Sequence, residues 1–376
     1  MNGFLPYGRY HHQINLRGFG EESQRRLLQA RVLVAGAGGL GCAALQYLAA
    51  SGVGTLGIAD DDVVRLSNLH RQVIYTVNDI GSQKAESAAR WLWQLNPEIG
   101  IHVHAVRLTS RNILEIINSY DIILDGTDNL GSKYMINDAC MLSGKPVVFA
   151  AISQFEGQVA VFNHNRDGTE TANYRDVFPY QPTNENETPC NETGVLGVLP
   201  GIIGAMQCNE TIKVITGVGK PLVNTLLTYN ALTNQVHEFS IQARKENRLL
   251  APGNNHEFML TNYDQPCTTR AQDQFELHAG EFSRLINSEL TTVIDVREPY
   301  ASPSPADFRH ISIPYRQLQD MLGTITGDTI VTFCEHGIIS LQAARLLKDA
   351  FGDEKRIFSL NKGISHWNLS YGNTNP

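Results

Sequence analysis

The run RVLVAGAGGLG at residues 31–41 constrains this chain more than any other stretch. An apolar strand leads into a turn with glycine at positions 36, 38 and 41, and CAALQYLAASG continues it as a helix. TLGIAD then reads as a second strand ending on Asp60. Strand, glycine turn, helix, strand is a βαβ unit, and GxGxxG in that setting is a phosphate-binding fingerprint. Glycine turns without Cβ clashes, lets backbone approach a phosphate, and lets helix pack close to strand. The pattern predicts nucleotide contacts at Gly36, Gly38 and Gly41, and a ribose contact at Asp60.

The alternation continues. SQKAESAARWLWQLNPEI reads as a helix stopped near Pro97, IHVHAVRL as a strand, DIILDGTDN as a buried strand with polar end, and KPVVFAAIS and QVAVFN as further strands. The expected fold class is α/β, a Rossmann-like doubly wound sheet joined to a second, small α/β domain. A length of 376 residues suits two cores. The expected division is 1–245 for the nucleotide domain, 246–275 for a linker rich in Pro, Gly and Asn, and 276–376 for the second domain. Between Asn163 and Thr193 the chain is polar and nearly aperiodic, which reads as a lid, a binding loop or disorder. GVLPGIIGAMQCNETIKVITG then reads as a closely packed helix, and LVNTLLTYNALTNQVHEFSI as two strands around a turn.

Composition narrows the function classes. The formal net charge of -8 argues against a mainly electrostatic nucleic-acid surface. No apolar run approaches the roughly 18 residues of a membrane span, and MNGFLPYGRYHHQINLRGFG lacks the features of a signal peptide. The cysteines Cys42, Cys140, Cys190, Cys208, Cys267 and Cys334 include no CxxC pair, so neither a disulfide framework nor a cysteine-held structural zinc is expected. This usage fits a reducing cytoplasm. Cys42 and Cys208 fall in helical patterns and read as small core residues.

The fingerprint alone would suit NAD or FAD. The following stretch, DDDVVRLSNLHRQVIY, suits phosphate chemistry better: Asn68, Arg71 and Gln72 lie close together, Lys84 follows on the next helix, and Asp128 ends a later strand. Cations neutralise a triphosphate, and a carboxylate at a strand end holds Mg²⁺. LRGFG, GAGGLG, DDDVVRLSNLHRQ, SQK, LDGTDN, EGQVAVF and CNETGVLG together resemble the MoeB/ThiF/HesA-type adenylyltransferases, relatives of the ubiquitin-activating enzymes, over residues 9–240. The resemblance implies ATP-dependent adenylation of the C-terminal glycine carboxylate of a small ubiquitin-like sulfur carrier ending in Gly-Gly, usually by a homodimer. It assigns the phosphates to Gly36, Gly38, Gly41, Asn68, Arg71 and Lys84, with Gln72 as neighbour, the ribose to Asp60, and Mg²⁺ to Asp128. Cys190, in CNETGVLG, stands where relatives can link sulfur to the carrier.

Two departures stand out. Relatives commonly read RYxRQI near the start, the second arginine reaching a nucleotide across the dimer; here His12 stands in its place, with Arg9 and Arg17 as possible substitutes. Many relatives hold zinc with two CxxC pairs. Here Asn173-Tyr174-Arg175-Asp176 and ARKENRLL occupy those places, so no zinc is expected.

VIDVREPY, HISIP, CEHGIIS and IFSLNKGISHW give residues 280–370 a resemblance to rhodanese domains. It implies persulfide chemistry at Cys334, between a strand and a helix, with Asp295 and Arg297 as structural braces. The usual loop is C-x-x-G-x-R-S/T; Ile339 replaces its arginine and Glu335 adds negative charge, which disfavours thiosulfate more than a persulfide-donor protein. The expected function is carrier adenylation followed by sulfur transfer to a thiocarboxylate. Two alternatives predict different outcomes: adenylation of a peptide or small acid would proceed without a carrier, and a nucleotide-binding scaffold with an inactive rhodanese-like docking domain would bind ATP without pyrophosphate exchange.

Overall fold

The computed structural model describes residues 7–164, 170–181, 194–263, 275–286, 288, 290–298, 308–335, 337–352, 354–361, 363–364 and 366–367. The chain forms two compact units, Met1–Thr268 and Thr269–Pro376. The first begins with α1 (Tyr7–Ile14) and α2 (Gly20–Gln29), followed by β1 (Arg31–Ala35), α3 (Gly39–Ser51) and β2 (Thr55–Ala59). Next come α4 (Lys84–Leu95), β3 (Gly100–His104), α5 (Ile113–Asn118), β4 (Ile122–Asp125), α6 (Leu130–Ser143), β5 (Val147–Ser153) and β6 (Glu156–Phe162). The unit closes with α7 (Leu199–Thr216), β7 (Thr225–Asn230), β8 (Gln235–Ser240), α8 (Lys245–Arg248) and α9 (Asn255–Leu260).

Its eight strands form one sheet in the order β3-β2-β1-β4-β5-β6-β7-β8. Pairing is parallel from β3 to β5 and antiparallel from β5 onward. The central strands β1 and β4 carry near-continuous buried apolar runs, as parallel strands covered on both faces must. The order reverses between β1 and β4, so a crevice opens at their carboxyl ends. β3 stops at His104, short of the alternation that extends to Leu108, because its partner β2 ends at Ala59 and nothing continues the ladder.

The polar stretch after β6 is not uniformly a loop. Ala172, Tyr174 and Arg175 are buried, Asn173 caps a 3₁₀ turn at Tyr174–Asp176, and Tyr174 packs among Tyr134, Phe149, Phe162 and Phe178. The segment read as linker carries α8 and α9, and Phe258 and Tyr263 are buried in the core of the first unit. A buried network joins these pieces. Asp138 on α6 accepts from Arg175 Nε at 2.9 Å and Nη2 at 2.7 Å, and from the Tyr263 hydroxyl at 2.8 Å. The Arg175 guanidinium also lies 5.0 Å over the Tyr134 ring.

The second unit contains β9 (Glu276–Leu277), α10 (Ala279–Leu285), β10 (Thr291–Asp295), β11 (Ile311–Ser312), β12 (Thr329–Phe333), α11 (Ile338–Phe351) and β13 (Arg356–Leu360). Its sheet runs β11-β10-β12-β13-β9, all parallel. Among the described residues no helix is long and apolar enough to cross a membrane.

Arg175→Ala is expected to destabilise the first unit by about 3–5 kcal/mol, because it strands the Asp138 carboxylate in the core. Urea unfolding of the variant measures this; a loss under about 0.5 kcal/mol would mean that the network does not hold the segment.

Candidate functional site

The glycine turn lies where backbone meets backbone. Gly36 has φ +92°, which favours glycine, and its N–H donates to Ala59 O at 2.8 Å. A Cβ on Gly36 would sit 2.9 Å from Gly126 O, and one on Gly41 only 1.9 Å from Gly36 O. Gly38 differs: the nearest atom to a Cβ there is Gln72 Nε2, at 3.7 Å. Packing therefore dictates Gly36 and Gly41, whereas glycine at 38 leaves open space in front of α3. Gly38 caps α3 without a side chain, so the first N–H groups of that helix face the opening, an arrangement suited to phosphate.

Asp60 closes β2. Its Oδ2 accepts from Ala37 N–H at 2.7 Å and its Oδ1 from Asp62 N–H at 2.9 Å, and burial raises its pKa above the ordinary carboxylate value. Asp62 moves the other way. Burial pushes its pKa up, but the hydrogen bond and charge of Lys84, with Nζ at 2.6 Å, more than offset this and hold it low. Lys84 is only 5% exposed at the start of α4. Tyr75 fixes that start by donating to Ala37 O at 2.9 Å and Lys84 O at 3.2 Å. Neither Asp62 nor Tyr75 stood out in the sequence as a partner of Lys84; both lie in the acidic-to-VIY stretch that signalled the site.

Asn68 is buried, and its Oδ1 is occupied by Arg65 N–H at 3.0 Å, so the amide NH₂ is what it can offer a ligand. Arg71 donates to Ser67 O at 3.1 Å and, among the described residues, pairs with no carboxylate. Gln72 is 3% exposed beside Gly38, and its Oε1 has no hydrogen-bond partner among the described residues. A buried acceptor in that state fits a bound donor.

The turn after β4 touches the glycine turn through Gly126, whose N–H donates to Ala35 O at 2.8 Å. Asp125 shapes it: Oδ1 accepts from Thr127 N at 3.0 Å and Oγ1 at 2.6 Å, and Oδ2 accepts from Lys133 Nζ at 3.3 Å. Lys133 also donates to Ala150 O at 2.7 Å, bridging β4 and β5. β4 stops at Asp125, so Asp128 does not end the strand as the sequence suggested but lies exposed in the turn beyond it. The sequence singled out Asp128 and passed over Asp125 and Lys133, the ion pair that supports it. Gly197 packs on His70, where an added Cβ would lie 2.6 Å from His70 O, so the chain enters α7 beside these residues. Cys190 lies outside the described residues. His12 is exposed on α1 against His11. Arg9 is engaged with Leu95 O at 2.9 Å and Glu98 at 3.7 Å.

The two places where relatives carry zinc cysteines do meet. Asp176 Oδ1 accepts from Arg244 N–H at 3.0 Å and Asn247 Nδ2 at 3.3 Å; Oδ2 accepts from Asn173 N–H at 2.9 Å and Nδ2 at 2.8 Å. One carboxylate thus ties together the residues at that junction, and the other groups it meets are donors. Among the described residues no group of three or more His, Cys, Asp or Glu is placed to hold a metal. This donor set does not fit a structural zinc.

In the second unit Cys334 follows β12 and is 2% exposed. Its Sγ accepts from Gly337 N–H at 3.2 Å and Ser340 N–H at 3.4 Å, at the start of α11. Gly337, with φ +88°, makes the turn. Ile339 packs against the core cluster that includes Cys334 and Leu347. Asp295 and Arg297 form a buried, two-pronged ion pair, Nε to Oδ1 at 2.9 Å and Nη2 to Oδ2 at 2.8 Å, and the guanidinium lies 5.6 Å over Phe333. Cys42 and Cys208, by contrast, are core thiols whose pKa burial pushes up to about 12.

Fold and site together define a nucleotide-binding Rossmann-like enzyme joined to a small α/β domain with a cysteine held by backbone donors. The ThiF family profile matches residues 10–250, and that of the rhodanese-like domain matches residues 278–370. The chain belongs to the ThiF family and is an adenylyltransferase with a rhodanese-like domain. A sulfur carrier protein adenylyltransferase of Thermus thermophilus is 47% identical over 235 residues, covering 62% of this chain and 87% of that protein. The adenylyltransferase and sulfurtransferase MOCS3 of Xenopus laevis is 35% identical over 390 residues, covering 96% and 85%. A crystal structure of E. coli MccB with MccA-N7isoASN shares the fold at a TM-score of 0.55 and 20% identity, over 64% of this chain and 74% of that one.

The two glycines separate packing from binding. Gly38→Ala is expected to keep the melting temperature while weakening ATP binding at least about tenfold, and Gly41→Ala to lower the melting temperature sharply. Differential scanning calorimetry with and without ATP checks both; equal melting losses would refute the distinction.

Proposed function

We propose that this chain adenylates the C-terminal glycine carboxylate of a ubiquitin-like sulfur carrier ending in Gly-Gly and then converts it to a thiocarboxylate with sulfur carried on Cys334. The observation that carries the reading is the grouping at the glycine turn: an uncapped helix start, Arg71 without a carboxylate partner among the described residues, Lys84 at the start of α4 and tied to Ala37 through Tyr75, and the Gln72 Oε1 without a partner among the described residues. The names of the relatives support the substrate class, since one is a sulfur carrier protein adenylyltransferase and another an adenylyltransferase and sulfurtransferase.

In this reading the first N–H groups of α3 and the side chains of Arg71 and Lys84 hold the phosphates, Asn68 donates through its amide, and Asp60 receives the ribose. A carrier carboxylate oxygen attacks the α-phosphorus and pyrophosphate leaves. The carboxylate is already ionised near neutral pH, so no general base is required. Arg71 and Lys84 stabilise the charge that shifts onto the leaving group. Asp128, exposed on a turn braced by Asp125 and Lys133, is the residue proposed to hold Mg²⁺, which would screen the phosphate charges. No structural zinc belongs to this reading.

Sulfur follows. The Cys334 thiolate attacks the outer sulfur of a persulfide-donor protein, and the donor's thiolate leaves. The terminal sulfur of the Cys334 persulfide then attacks the acyl-adenylate carbonyl, AMP departs, and the carrier remains joined to Cys334 through an S–S bond. A thiol reductant opens that bond and frees the thiocarboxylate. Cys190 is the proposed site of a transient sulfur link on this route. A homodimer is part of the reading, with exposed His12 standing where relatives use an arginine across the dimer. The proposed setting is the cytoplasm.

ATP–pyrophosphate exchange tests the first step. Exchange is expected only with an intact carrier, to fall about 100-fold in Arg71→Ala and Asp128→Asn, and to stop without Mg²⁺. Exchange with no carrier present would move the substrate to a peptide or small acid, and ATP binding with no exchange under any condition would leave only a scaffold.

Metal analysis tests the junction at Asp176. The purified protein is expected to contain no stoichiometric zinc and to keep its melting temperature in EDTA, while Asp176→Ala lowers it. One zinc per chain, or a chelator-sensitive melt, would overturn this.

A further inference from the structure

The Cys334 sulfur is an anion in the proposed cycle, as thiolate and then as persulfide, yet it is buried where the usual loop arginine is replaced by Ile339 packed into the core. A buried anion needs donors. Two are the backbone N–H groups of Gly337 and Ser340. The third polar neighbour is the Ser340 hydroxyl, 3.4 Å from Sγ. Behind it, Ser359 Oγ on β13 donates to Ser340 Oγ at 2.8 Å. Ser340 and Ser359 are both fully buried, so neither hydroxyl has water as an alternative partner. The Ser340 main chain is fixed as well: its carbonyl accepts from Thr332 Oγ1 at 2.7 Å, on the strand that leads to Cys334.

We propose that Ser359 is a positioning residue for sulfur transfer, acting through Ser340. In the thiol form the Cys334 S–H donates to Ser340 Oγ. When the proton leaves, the Ser340 O–H turns to donate to the sulfur anion, and Ser359 continues to donate to Ser340 from behind. A hydroxyl that accepts a hydrogen bond is a better donor, so the second serine strengthens the contact of the first with sulfur. Ser359 also fixes where the Ser340 oxygen sits, since a hydroxyl on a helix can otherwise rotate back toward a carbonyl of the preceding turn. Among the described residues, the groups that hold the anion are thus uncharged donors. That cage suits attack on the outer sulfur of a persulfide, where one S–S bond forms as another breaks and the donor's thiolate leaves with the electron pair.

This inference rests on the reading of Cys334 as the sulfur carrier residue, and its test is independent of that reading. The full chain is treated with iodoacetamide at neutral pH, and the alkylation rate of Cys334 itself is followed by peptide mass spectrometry. Ser359→Ala is expected to slow it about threefold, the scale of one hydrogen bond, and Ser340→Ala more. The double variant is expected to match Ser340→Ala alone, because among the described residues Ser359 reaches sulfur through Ser340. Ser359→Thr and Ser359→Val share a shape and differ in the hydroxyl, and Thr is expected to react faster than Val. ATP–pyrophosphate exchange reports an intact first unit throughout. Equal rates for Thr and Val, or additive losses in the double variant, would overturn the proposal. Thiocarboxylate formation that survives Cys334→Ser would instead overturn the persulfide reading and leave the alkylation result standing.

Discussion

Three stretches of bare backbone in contact carry the nucleotide end of this protein. Gly41, in the first turn of α3, lies against Gly36 O, and Gly36 in turn meets Gly126 after β4. No side chain fits between them, so the helix start, the end of β1 and the end of β4 are locked within one small volume. Asp60 and Lys84 are both placed from that contact. Asp60 reaches Ala37 N–H because the turn is tight, Tyr75 reaches Ala37 O for the same reason, and Tyr75 then sets where α4 and Lys84 begin.

The contact also explains why α7 belongs to the site although it lies some 160 residues downstream of the glycine turn. A Cβ at Gly204 would fall 2.4 Å from Leu40 O, and one at Gly39 2.8 Å from the Pro200 ring, so α7 lies directly on α3. Gln207 then donates to Asp125 O at 2.8 Å and Val148 O at 3.1 Å, reaching the end of β4 and the start of β5 from the same helix. The segment leading into α7 is thereby fixed beside His70, where a Cβ on Gly197 would lie 2.6 Å from His70 O. Small residues in α7 serve approach rather than flexibility.

The glycine motif, the doubly wound class of sheet it implies and the place of Cys334 between a strand and a helix were legible in the sequence because each is written in neighbouring residues. A period of two or of 3.6 and a spaced glycine are local signals. The supports were not legible, because they join distant residues of ordinary kind. Lys133 supports the Asp125 turn from a helix, Tyr263 reaches Asp138 from a stretch that reads as linker, and Ser359 lies on a different strand from Cys334. The polar segment around Tyr174 misled for a related reason. Its burial comes from four surrounding aromatic rings and one ion pair, which leave no periodic trace. The missing cysteines at Asn173 and Asp176 were plain to read, but the hydrogen bonds that take over the junction required the fold.

The two units treat negative charge differently, and the chemistry proposed for each accounts for it. A triphosphate brings several charges from solvent and must release most of them as pyrophosphate, so cations at the crevice are useful: Arg71 is half-buried and pairs with no carboxylate among the described residues, and Lys84 is held by one. A sulfur anion is a single charge generated in place and handed on. A cation in contact would stabilise it but would also lower its nucleophilicity. Backbone and hydroxyl donors stabilise an anion more gently and cannot form a persistent ion pair with it. On that argument the replacement of the loop arginine by Ile339 is not a lesion in the second unit. It shifts the burden of holding sulfur from one guanidinium to a fixed set of uncharged groups, which is the arrangement expected where the incoming sulfur arrives on a protein rather than as a small dianion.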